Sequence, residues 1–545
     1  MTKLPKSKMT SLLFVFCVSA AIAAPAQTYT DLYDMGASSA DPNDPQWSGI
    51  IAQGRDGNMY STTNQNWTGG QGDVFRITPT GTVTVLHTFN GTDGQHPTGG
   101  LTLGSDGNFY GTTDAGGAFG YGTLFRITPE GSLTRLYSFT NGADGSGPSA
   151  PPIEGVDGNF YGTTGGTQGN NGGTDDTHGS VYKITPSGVF TTLHTFAGTD
   201  GANPLGPLFQ ASDGNFYGTT FYGGTSGAGA IFKIGPLGKF EVLFNFGDVP
   251  GNPFGGLIQG SDGNLYGTTS GSQSGGIVFE LTPSDKLTVL HNFAGGSDGG
   301  DIGAGLVQAT DGNFYGTNCI GPLAFAGGVV FRVSSTGGFD DLHQFDGTSG
   351  GSAQDTPFQH TNGQLYGTTA VGGAYDRGVF YSLDVGLKPF VSFLPAARPV
   401  GGIVQILGQG FTGTASVSFN GTPAGFTVYT DTFLMAKVPA GATTGNITVT
   451  EPSGTLTSNK IFRVTPDTRG FSPINGPVGT VVTIAGIALT QTTAVSFGGV
   501  QATSFSVVSD TEVQATVPAG AITGHIEITT AGGTFTTCNT FTVTP

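Results

Sequence analysis

The stretch Asp106-Gly107-Asn108-Phe109-Tyr110-Gly111-Thr112 decides how this chain folds. Asp-Gly-Asn is a tight-turn signature: glycine accepts positive φ, and aspartate hydrogen-bonds its own backbone. The aromatic pair and Gly-Thr that follow form a strand. The same turn, or a near copy, begins at Asp56, Asp106, Asp157, Asp213, Asp262, Asp311 and Asn362. The intervals are 50, 51, 56, 49, 49 and 51 residues. A period near fifty is that of a β-propeller blade with four strands.

Working outward from the turn, one repeat divides cleanly. Leu101-Thr102-Leu103 is a short strand before it, and Phe109 to Thr112 a second strand after it. A Gly-rich loop spans 113–122. Leu124 to Thr128 is a third strand, closed by Pro129, and Leu133 to Phe139 a fourth. The strands are apolar on both faces, as blades packed between neighbours require. The fourth strand carries Leu-aromatic-x-Phe at Leu86, Leu136, Leu193, Leu243, Leu290 and Leu342. The seventh repeat lacks it after Val379–Leu383. The missing copy stands near the other end, at Leu32-Tyr33-Asp34-Met35. Residues 28–35 are therefore expected to supply the outer strand of the last blade, closing the ring and removing its exposed edges.

The tail holds a second repeat of about 78 residues, in 388–466 and 467–545. Val417-Ser418-Phe419-Asn420-Gly421 matches Val495-Ser496-Phe497-Gly498-Gly499. Val438-Pro439-Ala440-Gly441 matches Val517-Pro518-Ala519-Gly520. Short Val/Thr/Phe strands between Gly/Pro turns at this length read as β-sandwiches. The expected architecture is all-β: a seven-bladed propeller over 27–387 and two immunoglobulin-like sandwiches over 388–466 and 467–545.

The first 26 residues read as an export signal. Lys3, Lys6 and Lys8 precede the apolar run Leu12 to Ala24, and Ala24-Pro25-Ala26 is a small-x-small site. Cleavage after Ala26 makes the chain a secreted or cell-surface protein. The mature chain then has 16 basic and 37 acidic residues, a formal charge of −21. Nucleic acid and anionic membranes are disfavoured by that balance. Cys319 and Cys538 fall in different domains, so neither a disulfide between them nor a thiolate zinc site is expected.

The tail resembles two IPT/TIG domains, on Ser472-Pro473-x-x-Gly476-Pro477-Val478-Gly479, Val-Pro-Ala-Gly and the closing Phe541-Thr542-Val543. The seven repeats resemble the GloVer tandem repeat of exported bacterial proteins, on Asp-Gly-Asn-Phe-Tyr-Gly-Thr-Thr and Phe-Arg-Ile-Thr-Pro. That resemblance implies an exported surface protein of unassigned activity.

Most polar residues have a place in the repeat. His87, His194, His291 and His343 share one position with Tyr33, Tyr137 and Phe244, which is a packing role. Gln53, Gln210, Gln259, Gln308 and Gln359 lie three residues before the turn. Hydrogen bonding of inner-strand backbone accounts for them, against a polar channel wall as the other reading. Asp93, Asp144, Asp200 and Asp298, with Asp301, form an acidic rim on the loop face. They read as Asx turns or as carboxylates for Ca²⁺, a hard cation. The longest loop, in the third repeat, holds Asp175, Asp176 and His178 at its tip. Trp67 can stack on a sugar, and His96 lies off the repeat consensus. Gly347-Thr348-Ser349-Gly350-Gly351 fits Gly-x-Ser-x-Gly but opens no helix, so it is chance.

The leading expectation is a monomeric, non-enzymatic binding or scaffold protein. Its propeller meets an extracellular glycan or surface protein, with the tail as spacer. The alternatives are an extracellular propeller enzyme, a polysaccharide lyase or hydrolase using His178, Asp175, Asp176 and His96, and a purely structural envelope component.

Overall fold

The computed structural model describes residues 27–38, 41–45, 50–65, 69–166, 178–270, 275–295, 298–320 and 327–545. The expected signal segment, 1–26, lies outside them, as do Trp67, Asp175 and Asp176. Every element among the described residues is a strand. Seven antiparallel four-stranded sheets form the blades of a propeller. In blade 2 the strands, from the axis outward, are Thr102–Leu103, Phe109–Thr113, Thr123–Ile127 and Leu133–Ser138. The second strand is wholly buried and the fourth only half so, because the innermost layers are pressed between neighbouring blades.

The turn motif is structural, residue by residue. The turn Asp accepts from the Asn side chain and from the Tyr hydroxyl four residues on. In blade 2, Asn108 Nδ2 lies 2.6 Å and Tyr110 Oη 3.0 Å from Asp106 Oδ2. The Tyr ring stacks on the Phe of the next blade's turn: Tyr60 on Phe109 at 4.1 Å and Tyr110 on Phe160 at 3.7 Å. The Thr after the Gly donates to the entrance of the next inner strand, as Thr112 Oγ1 does to the Ala150 carbonyl at 3.0 Å. Each repeat Gln side chain bonds a backbone N–H of the preceding blade. Gln259 Oε1 accepts from Ser212 N at 3.1 Å and Gln308 Oε1 from Ser261 N at 3.0 Å. The packing reading of the Gln position therefore holds.

The ring closes as the sequence predicts. Thr28–Asp34 pairs antiparallel with Val379–Asp384 and completes blade 7. Six outer strands carry a one-residue bulge at the Leu of the Leu-aromatic motif; Leu86, for example, is skipped between Val74↔His87 and Phe75↔Val85. The N-terminal strand repeats the bulge at Leu32. Tyr29 stacks on His343 at 3.9 Å, just as Phe240 stacks on His194 at 3.7 Å and Phe339 on His291 at 4.0 Å. Met35 is completely buried against Phe380 and the core of blade 1.

Two sandwiches follow with one strand order. The first pairs Ser392–Leu394, Ile403–Leu407, Phe433–Lys437 and Phe426–Thr430 in one sheet. The second repeats this with Asp467–Ser472, Val481–Ile487, Glu512–Thr516 and Ser504–Ser509. Cys319 and Cys538 are free thiols, and burial pushes the Cys319 thiol up to about 12.

The first sandwich is not a free spacer. It is docked on the turn face of the propeller. Leu407 and Phe433 join the core cluster of blades 1 and 2, with Met435 and Leu394 packed beside them. The Arg55 guanidinium lies 4.8 Å from the Phe433 ring centre and donates to Gln405 Oε1 at 2.7 Å. Gln409 Nε2 donates to Thr361 Oγ1 of blade 7 at 2.9 Å. On the other side, Arg463 donates to the Ala211 and Ser212 carbonyls of blade 4 at 3.0 and 2.7 Å. A rigid body held at blades 7, 1 and 2 and again at blade 4 crosses the axis of the ring.

Candidate functional site

The opposite, loop face holds a funnel of about 490 Å³ on the propeller axis. Its wall is made where loops descend into the inner strands: Thr98-Gly99, Ser149-Ala150, Leu205-Gly206, Phe254-Gly255, Gly303-Ala304 and Gln354. Small residues are required here because neighbouring entrances touch backbone to backbone. A Cβ at Gly255 would stand 2.4 Å from the Gly305 nitrogen.

The residue just after the second strand's Thr-Thr (Thr-Asn in blade 6) varies from blade to blade. Across the blades this position reads Asn64, Asp114, Gly165, Phe221, Ser270, Cys319 and Ala370. Three of these, Asn64, Asp114 and Phe221, line the funnel. They were absent from the sequence-based candidates. The signal was present as a position that changes in every repeat while its neighbours are held.

The lining is two-sided. Asn64, Asp114 and Gln354 come from blades 1, 2 and 7, which adjoin. Each has a buried oxygen without a hydrogen-bond partner: Asn64 Oδ1, Asp114 Oδ1 and Gln354 Oε1. Phe221, Tyr222 and Phe254 stand on the far side, edge to face at 4.6 and 5.8 Å. Tyr222 remains 45% exposed. Other aromatics stand exposed on loops of this face: Phe119, Tyr121 and Tyr375.

Asp114 is the acidic centre of this wall. Its Oδ1 is shut from solvent, yet the side chain as a whole keeps 39% exposure to the funnel. Desolvation in the concave wall pushes its carboxyl up to about 7. His96 Nδ1 faces that oxygen at 3.8 Å, beyond hydrogen-bond reach, and burial pulls the His96 pKa down. An imidazole held toward its neutral form beside a carboxyl raised by desolvation can exchange protons with a ligand.

The other sequence-based candidates fall elsewhere. His178 is half-buried, with its ring over Gly198, and does not line the funnel. The rim carboxylates Asp93, Asp144, Asp200 and Asp298 sit on separate blades, each held within its own loop. Asp93 takes His87 Nε2 at 2.9 Å and Asn90 N at 3.0 Å. Asp144 takes the Tyr137 hydroxyl at 3.0 Å, Thr140 N at 2.8 Å and Gly142 N at 3.1 Å. Asp200 and Asp298 bond His194 and His291 at 2.9 and 3.2 Å. Asp301 is exposed, and its backbone carbonyl accepts from Cys319 N at 3.1 Å. Among the described residues no three His, Cys, Asp or Glu side chains converge to hold a metal ion. Ser349 belongs to a tight turn, its hydroxyl and N–H bonded to Asp346.

Among the described residues, no helix is long and apolar enough to cross a membrane. No curated protein matches the chain. Similar solved structures include a structural genomics protein of unknown function from Bacteroides thetaiotaomicron. It is 13% identical, with 66% of this chain and 76% of that chain covered and a TM-score of 0.36. A fungal alcohol oxidase in complex with copper is 14% identical, with 78% and 98% covered and a TM-score of 0.40. A surface glycan-binding protein from Prevotella bryantii is 16% identical, with 28% and 41% covered and a TM-score of 0.22. This chain thus spans less than half of that protein's length. The IPT/TIG domain model matches residues 466–543. The repeat model matches residues 44–271 and 247–429, most of the chain, which therefore belongs to the Gloeobacter/Verrucomicrobia repeat family.

Proposed function

We propose that this protein binds a glycan outside the cell, in the loop-face funnel of its propeller. The observation that carries the reading is the two-sided lining. Aromatic rings at Phe221, Tyr222 and Phe254 oppose the polar side chains of Asn64, Asp114 and Gln354. A sugar ring is built the same way, with an apolar C–H face and polar edges, so one face stacks while the edges hydrogen-bond. The repeat residues offer no rival site, since turns, rings and Gln side chains are consumed in holding blades together.

The test is depletion of the purified protein by insoluble polysaccharides and cell-wall fractions, with and without Ca²⁺, while soluble sugar is assayed. Depletion without sugar release, lost in Tyr222→Ala, is the expected result. A calcium requirement would bring the rim carboxylates into the site. A second reading, an extracellular lyase or hydrolase, draws on the raised Asp114 carboxyl beside His96. Sugar release that disappears in Asp114→Asn would establish it instead. Protein that stays in solution with every fraction would leave an envelope component or a protein-binding role.

A further inference from the structure

The funnel's charge is one-sided. Among the described residues that line it, Asp114 is the one charged side chain, 39% exposed, and no Lys or Arg accompanies it. The same bias runs across the loop face. Among the described residues, the loops entering the inner strands and those between second and third strands carry carboxylates in most blades. They carry one guanidinium, Arg377, and it faces Asp44 at 3.7 Å. The basic residues Arg55, Lys239, Lys286 and Lys388 lie toward the opposite, turn face. A ligand entering the funnel therefore meets negative potential and the exposed part of the Asp114 carboxyl, with aromatic faces across from it. Negative walls around a concave site concentrate cations there.

We propose that the funnel selects a glycan bearing free amino groups, with an ammonium placed between Asp114 and Asn64 and the sugar ring against Tyr222. The inference rests on the glycan reading above and narrows it. An ammonium supplies three donors and a positive charge, which complements a wall whose one charged group is a carboxyl. It also answers the exposed part of the Asp114 carboxyl, which no Lys or Arg side chain among the described lining residues meets. A neutral sugar satisfies the acceptors through hydroxyls but leaves the charge unanswered. A uronic acid would bring a second carboxylate to Asp114, and like charges at close range repel.

The test is calorimetric titration of the full-length protein with three hexasaccharides of one linkage: glucosamine, N-acetylglucosamine and glucose. Hexalysine serves as a cationic control without a sugar ring. The expected result is glucosamine hexamer binding about tenfold or more tighter than the other two sugars, since a charge-assisted bond is gained. Asp114→Asn keeps side-chain shape and should bring the three sugars level, while Tyr222→Ala weakens all three. Thermal melts of both variants confirm that they are folded. Equal binding of all three sugars would overturn the amine preference and leave the glycan reading intact. Binding of hexalysine alone, indifferent to Tyr222→Ala, would overturn both in favour of a basic peptide partner. Binding of none of the four would also remove both.

Discussion

At the scale of single residues, Asp114 sets folding against binding. Its carboxyl is pushed up to about 7 by desolvation. The native state thus holds that proton more tightly than the unfolded chain, whose Asp titrates near 4. The resulting penalty on stability is absent below about pH 4, grows between about pH 4 and 7, and is complete above that. Asp114→Asn removes it. The variant should melt about 1–3 °C above the parent at pH 8 and level with it near pH 4. The gain stays small because the side chain is 39% exposed and water screens the charge. Differential scanning calorimetry at both pH values checks this. Binding of an amino sugar should peak in a narrow window, falling on the acid side as Asp114 takes up its proton and on the alkaline side as the sugar amine loses its own; His96, facing Asp114 at 3.8 Å, is depressed by burial. Little of this was legible in the sequence. His96 was singled out because it breaks the repeat, but its meaning depends on Asp114, which a chain without coordinates places beside nothing in particular. The rim aspartates were legible only as turn formers or calcium ligands. Their hydrogen bonds to His87, Tyr137, His194 and His291 link two repeat positions that sequence periodicity treats separately.

At the scale of elements, the N-terminal strand was fully legible. Its Leu-aromatic pair fills the one vacancy in a series of outer strands, and the bulge at Leu32 matches the bulge of the other six. Its ends are tied by different means: Tyr29 donates to the Ser349 carbonyl at 2.5 Å and stacks on His343, while Met35 is buried to 0% exposure. Met35→Ala should therefore cost about 2–5 kcal/mol in chemical denaturation. Deletion of residues 27–36 should lower the melting temperature by about 10 °C or more, because it also uncovers the outer edge of Val379–Asp384. An unchanged melt would contradict the clasp. The funnel wall was not legible at this scale. Gly-rich loops read as variable turns, whereas Gly255 is there because the neighbouring backbone leaves no room for a side chain.

At the scale of the molecule, the two sandwiches share a fold and differ where one is docked. Leu407, Phe433 and Met435 of the first stand where the second has Ala485, Glu512 and Gln514. The apolar set packs on blades 1 and 2; its smaller or polar counterparts are exposed or half-buried. The two halves of the tail were read from the sequence for their matches, and the docking was encoded in these mismatches. Phe433→Glu, which installs the second copy's residue, should place an unpaired carboxylate against the blade 1–2 core and cost about 3 kcal/mol or more. The expected readout is release of the first sandwich: a larger radius of gyration in small-angle scattering and a separate thermal transition for the propeller.

The docked sandwich also bears on how a ligand travels. It lies across the ring axis on the turn face, from Thr361 and Arg55 to Ala211 and Ser212. The propeller's central space is thus a well with a floor, not a tube. A polymer cannot be threaded through it: whatever enters by the loop face must leave the same way. A long chain can present only a terminus or a side branch to Asp114, while its remaining length lies over the exposed rings of Phe119, Tyr121 and Tyr375. Selection would then act on ends and decorations, and the number of binding sites on a polymer would scale with its ends rather than its mass.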